Sequence, residues 1–403
     1  MCKVASIREL IENLLPKEQG NKFYVQLLEI NKQLIKKKKR HSKLNNKENQ
    51  KSIKKNLNET TSVKQPKKIA VIQNPNACNK DNNNIMNKDI NILNNAIQLK
   101  KIGLKIVSQI GKGGFSTVYH GTIDKYPDRI FAAKLIQYKS TYNSIDIFSN
   151  QIKREFHYQK LCSGKYVTYA NGLFELNIDN ELCFVLVSEM EKNGDLSLFK
   201  NKNLKIKTFN ENLTTYIGGQ VLRGLNHLHS MKICHFDIKA NNIFINLKNN
   251  CKISDFSLCK DYSNLQTYKL CGSGTKMYIS PESMRNEEIN VEELQKQDLW
   301  SFGIMLYRML YNYFPFEIKG DENEVELLKK ITYNNLIFSQ NNNLSHTITD
   351  FISKLLEKNY KKRINIEEAM KHEFMQNFER YIECKEKYYD DDRFIHNLIN
   401  NML

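Results

Sequence analysis

The sequence predicts an α+β fold in two lobes, a small antiparallel sheet with one main helix followed by a larger, mostly helical body. Three observations carry this. Strand-like runs dominate from about residue 98 to 189. Helical periodicity dominates from Leu196 onward. The polar stretch before residue 98 holds too little clustered apolar surface to join either part. With 403 residues, 40% of them apolar, and with 20 Tyr and 20 Phe, the chain can bury a sizeable core in more than one compact body.

Taken in order, residues 1–40 are read as a short helical segment with a basic run. Ile7, Leu10, Ile11 and Leu14, then Phe23, Leu27, Leu28 and Leu34, recur at helical spacing, and Pro16 and Gly20 split them into two short helices. The plainer reading is an appendage that packs on itself or on the main domain; a regulatory partner docking through these helices is the sharper one. The run 36–40, four lysines and an arginine, is read first as a solvated linker and second as a nuclear-import or acidic-surface patch. Residues 41–99, rich in Asn, Lys, Ser and Gln, cannot bury enough surface to offset chain entropy, so disorder is expected there.

The main domain is placed at 100–378, with a sheet-rich lobe at about 100–189 and a helical lobe at about 195–378. Strands are expected at 104–110, 116–121, 130–136, 174–177 and 183–188. A helix is expected at 149–161, and long amphipathic helices at 213–229 and 297–310. The tail 379–403 is set apart. Beyond Phe374, two short amphipathic helices are expected, with docking on the domain as the default.

Charge and cysteine content exclude several classes. Residues 1–100 hold 21 Lys or Arg against 8 Asp or Glu, and the remaining 303 residues hold 40 against 36, so the basic excess belongs to the first quarter. Residues 36–70 carry no aromatic side chain among their charges, which argues against specific nucleic-acid binding. The nine cysteines form no Cys-x-x-Cys pair, consistent with free thiols in a reducing compartment. No apolar run reaches membrane-span length, the first residues have no signal-peptide pattern, and Cys2 stands where myristoylation needs glycine. A cytoplasmic protein is expected, with a nuclear location if the 36–40 run acts in import.

The most informative stretch is Cys234-His235-Phe236-Asp237-Ile238-Lys239-Ala240-Asn241-Asn242, with Asp255-Phe256-Ser257 thirteen residues later. It sets an aspartate, a lysine and an asparagine on one loop and a second aspartate on the next turn. Phosphoryl transfer needs this equipment: a carboxylate to orient a hydroxyl, a cation beside the migrating charge, and an amide plus a carboxylate for magnesium. Upstream, Gly111, Gly113 and Gly114 with Ser116 and Val118 lie between two expected strands. Such a loop lets backbone amides approach phosphates, although alone it reads equally well as a flexible hairpin. Lys134, inside the apolar run that begins with Ala132, is costly to bury unpaired. Its plain reading is the exposed face of an edge strand; the functional one pairs it with phosphate oxygens and with Glu155, 21 residues on.

Together with Ser280-Pro281-Glu282 and Asp298-Leu299-Trp300, these landmarks make the chain resemble a eukaryotic protein kinase of Ser/Thr type over about residues 100–378. The resemblance implies ATP and Mg2+ as cofactors and a protein substrate with a Ser or Thr acceptor. It implies Asp237 as catalytic base, Lys239 beside the transferred phosphate, Asn242 and Asp255 as magnesium ligands, and Lys134 held by Glu155 on the nucleotide phosphates. Gly111, Gly113, Gly114, Ser116, Val118 and Ala132 would cover the nucleotide. Glu189 and Glu191 would offer backbone groups to the adenine edge, and Asp195 would meet the ribose or simply start a helix. Glu282 would pair with Arg363, and Asp298 would hold the backbone of the 235–237 loop. Thr275 would bridge Asp237 and Lys239. Ser188, small and at the back of the pocket, implies tolerance of bulky ATP analogues.

Some positions depart from the family pattern. Ser116 replaces the third loop glycine, and Ser257 stands where glycine follows the Asp-Phe pair. Phe236 replaces the arginine that commonly receives an activation-segment phosphate, so activity is expected not to need such a phosphate at Ser263, Thr267, Tyr268 or Ser273. Gln159 occupies a usually apolar position, which is expected to loosen the helix carrying Glu155. Two short loops resemble different kinase groups, so no subfamily follows. The competing reading is a catalytically silent scaffold that binds partner proteins through its lobes.

Overall fold

A computed structural model describes residues 99–388, apart from the internal segments 101–102, 113–115, 124–125, 139–143, 179–180, 198–207, 247–248, 317–323 and 340–343. The expectations for residues 1–98, for Gly113 and Gly114 and for the chain beyond 388 therefore lie outside the described residues.

The first lobe is a five-stranded antiparallel sheet. Its strands are β1 (Leu104–Lys112), β2 (Ser116–Ile123), β3 (Tyr126–Gln137), β4 (Ala170–Ile178) and β5 (Glu181–Glu189), in spatial order β1-β2-β3-β5-β4. Period-two alternation assigns the faces. Phe131, Ala133 and Leu135 of β3 join Cys183, Val185 and Val187 of β5 in one apolar cluster with Leu104 and Tyr119. The intervening Ala132, Lys134, Leu186 and Ser188 line the cleft instead.

Helix α1 (Ile145–Cys162) starts where the Ser144 hydroxyl accepts the Ile147 N–H at 3.1 Å. Its buried stripe, Phe148, Ile152, Glu155, Gln159 and Cys162, advances by three and four residues and so holds one face. The apolar end of that stripe packs with Ile136 and Phe184. Glu155, two turns along, therefore points at the cleft side of β3.

The second lobe is built on α2 (Glu211–Ser230), a helix buried nearly all round, which marks it as the core of a larger body. Short ladders follow: β6 (Ile233–Cys234) pairs with β9 (Lys260–Asp261), β7 (Ile243–Ile245) with β8 (Cys251–Ile253), and β10 (Thr267–Lys269) with β11 (Glu288–Asn290). The helices are α3 (Pro281–Met284), α4 (Lys296–Tyr311), α5 (Glu324–Tyr333), α6 (His346–Leu355), α7 (Ile366–Lys371) and α8 (Glu373–Tyr388). Trp300 and Phe302 of α4, Phe351 of α6 and Phe374 and Phe378 of α8 meet α2 in one continuous core.

Of the two short helices expected beyond Phe374, the stretch with Phe378, Tyr381 and Ile382 belongs to α8, which runs to Tyr388, and the second lies outside the described residues. Helix α8 docks on α2 as expected. Phe378 is fully buried against Gly219, where a Cβ would collide with the ring, and Arg223 pairs with Glu379.

Candidate active site

A cavity of about 490 Å³ opens between the lobes. Gly111, Ser116, Val118 and Ala132 line it above, Ser188, Glu189, Glu191 and Asp195 along the connecting segment, and Asn242 and Asp255 below. Every described residue that the sequence nominates for nucleotide contact meets this one space, Lys134 and Glu155 included.

Lys134 donates to Glu155 Oε1 at 2.8 Å and to Asp255 Oδ1 at 3.3 Å, so one cation joins β3, α1 and the second lobe. Burial alone would lower the lysine's pKa, but the two carboxylates more than reverse this and hold it protonated. Burial alone would raise Asp255, yet Lys134, His235 and a hydrogen bond from the Ser257 side chain bring it down to about 2. Asp255 sits at φ 66°, a left-handed conformation that turns its carboxylate towards the cleft. Beneath it Phe256 is buried, edge-on to His235 at 5.3 Å between ring centroids.

The Asp237 loop is fixed from behind. Asp298, at the start of α4 and 0% exposed, accepts the backbone N–H groups of His235 and Phe236, both at 2.8 Å. Burial alone would raise its pKa; its hydrogen bonds and the nearby His229 and His235 hold it below the usual carboxylate value. Four donors converge on Asp237. Thr275 gives its hydroxyl at 2.8 Å and its N–H at 3.2 Å to Oδ1, while Lys239 at 2.7 Å and the Asn242 amide at 2.9 Å reach Oδ2. Lys239 also donates to the Thr275 hydroxyl at 2.7 Å. Gly274, at φ 118° and pressed against the Phe236 carbonyl, lets Thr275 reach this position.

Asn242 spends both amide hydrogens on Asp237, on the backbone carbonyl at 2.8 Å and on the carboxylate. Its carbonyl oxygen is thus the group it can turn to a cation. With the low-pKa carboxylate of Asp255 it forms a pair of hard oxygen donors suited to magnesium.

Further back, Glu282 and Arg363, both 0% exposed, form a two-pronged ion pair at 2.6 and 3.0 Å. The guanidinium also lies 4.8 Å from the Trp300 ring centroid.

The connecting segment holds a feature that the sequence reading missed. Lys252 of β8 is 7% exposed, bonds to Glu189, lies 3.6 Å from Glu191 and sits over the Tyr169 ring. Its even placement among apolar β8 neighbours was the available signal. The Glu189 N–H is already given to the Tyr169 carbonyl at 3.0 Å, so any bond from Glu189 to a base must use its carbonyl. Asp195 accepts the Ser197 N–H at 2.9 Å and so acts as a helix-start residue while also lining the cavity.

Burial, and then the charge of Glu189, push Glu191 up to about 7, only partly offset by Lys252. Since the folded chain favours its protonated form, the cost of ionisation is absent below the ordinary value of 4.5 and complete above about 7. Glu191→Gln is therefore expected to leave the melting temperature nearly unchanged at about pH 4 and to raise it by about 2–4 °C at pH 8. Thermal unfolding at both pH values checks this; an equal shift at both would contradict it.

Phe236 does not leave a void where the family has arginine. It joins Cys234, Tyr262, Leu270, Ile289 and Leu294 in an apolar cluster, with its ring 6.0 Å from that of Tyr268. Gln159 does not dangle either, since its amide reaches the Thr168 carbonyl at 3.4 Å and its backbone carbonyl accepts the Ser163 hydroxyl at 2.8 Å.

Residues 104–375, well over half of the chain, match the family described as protein kinase domain. Among curated relatives, the serine/threonine-protein kinase PLK4 of Drosophila grimshawi is 30% identical over 266 residues, 66% of this chain and 33% of that protein. The serine/threonine-protein kinase PLK2 of Mus musculus is 26% identical over 265 residues, 66% of this chain and 36% of that protein. A titin homolog of Caenorhabditis elegans is 27% identical over 291 residues, 70% of this chain and 1% of that protein. The chain thus spans about a third of the length of its PLK relatives.

Proposed function

This chain belongs to the protein kinase domain family, and we propose that it transfers the γ-phosphoryl group of ATP, with magnesium, to Ser and Thr hydroxyls of protein substrates. The observation that carries this reading is a pair of hydrogen-bonded sets, Lys134 with Glu155 and Asp255, and Asp237 with Lys239, Asn242 and Thr275, whose second-lobe segments are tied by the Ser254 N–H on the Asn242 backbone carbonyl at 2.9 Å. No member of either set is replaced by a residue unable to do its part.

The roles follow from the chemistry. Asp237 orients the acceptor hydroxyl and takes up its proton. Lys239, two residues on and bridged by the Thr275 hydroxyl, lies where charge grows on the transferring group. Lys134, steadied by Glu155, holds the nucleotide's α and β phosphates. Asn242 and Asp255 would hold magnesium, which screens phosphate charge when bound. A fluorescent ATP analogue titrated with and without magnesium tests this assignment. Affinity is expected to rise about tenfold with the metal in the unaltered protein and to lose that gain in Asp255→Asn. Indifference of the unaltered protein to magnesium would overturn the assignment.

The same reading includes independence from activation-segment phosphate. The apolar cluster around Phe236 and the β10–β11 ladder support the segment from its own side chains and backbone, and a phosphate there would meet no arginine at position 236. The combined variant Ser263→Ala, Thr267→Ala, Tyr268→Phe, Ser273→Ala is expected to keep kcat within about threefold. The conservative Tyr268→Phe retains the ring beside Phe236. A fall of about a hundredfold would contradict the proposal.

A further inference from the structure

Behind Ser188 the cleft does not end in an apolar wall. Ser188 pairs with Ala132 across β3–β5 and with Ala170 across β4–β5, so its neighbours on both adjacent strands are small. The same cavity continues past them to Leu186, Glu155, Gln159 and Thr168. Gln159 is 2% exposed and Thr168 3%, yet both carry unspent hydrogen-bonding capacity.

The Thr168 hydroxyl meets no partner among the described residues. One end of the Gln159 amide is held by the long 3.4 Å bond to the Thr168 carbonyl, and its other end has no protein donor among the described residues. A buried hydroxyl left in this state costs about 1–3 kcal/mol, which a ligand able to pair with it recovers. Rotation of Thr168 about χ1 exchanges its methyl and hydroxyl groups between staggered positions, so the hydroxyl can be presented to the cavity.

We propose that the nucleotide cavity extends behind Ser188 into a polar recess, lined by Gln159 and Thr168, that selects adenine-site ligands bearing a short hydroxyl-bearing arm over ligands bearing an apolar arm of the same length. The arm's hydroxyl donates to the Gln159 amide oxygen and accepts from Thr168. The inference rests on the reading that the adenine edge faces the 189–191 segment, which aims a substituent on the exocyclic amine past Ser188. A water held in the recess has the same polar partners, so an apolar arm that displaces it loses bonds that it cannot replace.

The test uses a near-isosteric pair, N6-(2-hydroxyethyl)-ATP and N6-propyl-ATP, in competition with a fluorescent ATP analogue on the full chain. The hydroxyethyl compound is expected to compete about tenfold more tightly than the propyl compound. Thr168→Val, which preserves shape, is expected to hold or raise the melting temperature and to shrink the ratio to about twofold, and Gln159→Leu to do the same to the ratio. Ser188→Phe is expected to weaken both arms more than it weakens unsubstituted ATP. Equal or tighter binding of the propyl compound, or a ratio unmoved by either rear substitution, overturns the polar recess. So does failure of both compounds while ATP binds. Failure of ATP itself would instead overturn the nucleotide-site reading beneath it.

Discussion

Replacing Asp237 by asparagine is expected to lower kcat for phosphoryl transfer by about 10²–10⁴-fold while nucleotide affinity stays within about threefold. The split follows from position. Asp237 touches Thr275, Lys239 and Asn242, whereas the contacts assigned to the nucleotide phosphates come from Lys134, itself tied to Glu155 and Asp255. Asparagine keeps the shape and loses the basicity. It also turns an NH2 group towards one pair of the four donors that now converge on two oxygens, so a drop of a few degrees in melting temperature is expected alongside. Steady-state kinetics with a generic basic protein, paired with a binding titration, separates the two effects. Equal transfer by both proteins would mean that the signal comes from elsewhere and would favour the scaffold reading.

Arg363→Ala is expected to destabilise the fold by about 3–5 kcal/mol, the range for breaking a fully buried ion pair by removing one partner. Glu282 would be left at 0% exposure with an uncompensated charge, its remaining side-chain donor being Gln297 at 2.6 Å. The variant also loses the contact with the Trp300 ring and two bonds that the guanidinium gives to the Glu357 and Lys296 carbonyls. Burial alone would raise the Glu282 pKa, but Arg363 holds it below its usual value, and without the arginine that restraint is lost. The melting temperature is expected to fall by roughly 6–20 °C. The paired change Glu282→Gln with Arg363→Met should recover part of the loss, because it removes the charge as well as its partner. A single-variant shift below about 2 °C would show that the pair is not buried as described.

Much of this was legible in the chain because its chemistry is carried by short local patterns. Period-two alternation in β3 separates Lys134 from Phe131, Ala133 and Leu135, and the spacing of the α1 stripe turns Glu155 to the same cleft. Asp237, Lys239 and Asn242 lie on one loop, so their convergence needs little long-range information. The Glu282–Arg363 pair spans 81 positions and was accessible only through family resemblance.

Side chains whose partners come from distant strands were less legible. Lys252 looked like one more lysine in a lysine-rich chain until β8 placed it beneath Glu189 and Glu191. Gln159 looked like a packing defect, but its amide answers a carbonyl nine residues on, in the segment that leads into β4. The Thr168 hydroxyl, which meets no partner among the described residues, has no signature in sequence at all, since absence of a partner is a property of the packed state.

Phosphoamino-acid analysis decides whether the chain phosphorylates Ser and Thr: the chain is incubated with γ-labelled ATP, magnesium and a mixed protein substrate, against a parallel reaction with a metal chelator. Label is expected on phosphoserine and phosphothreonine, dependent on magnesium, with none on tyrosine. Label no greater than in the chelated reaction, or label confined to tyrosine, would contradict that activity.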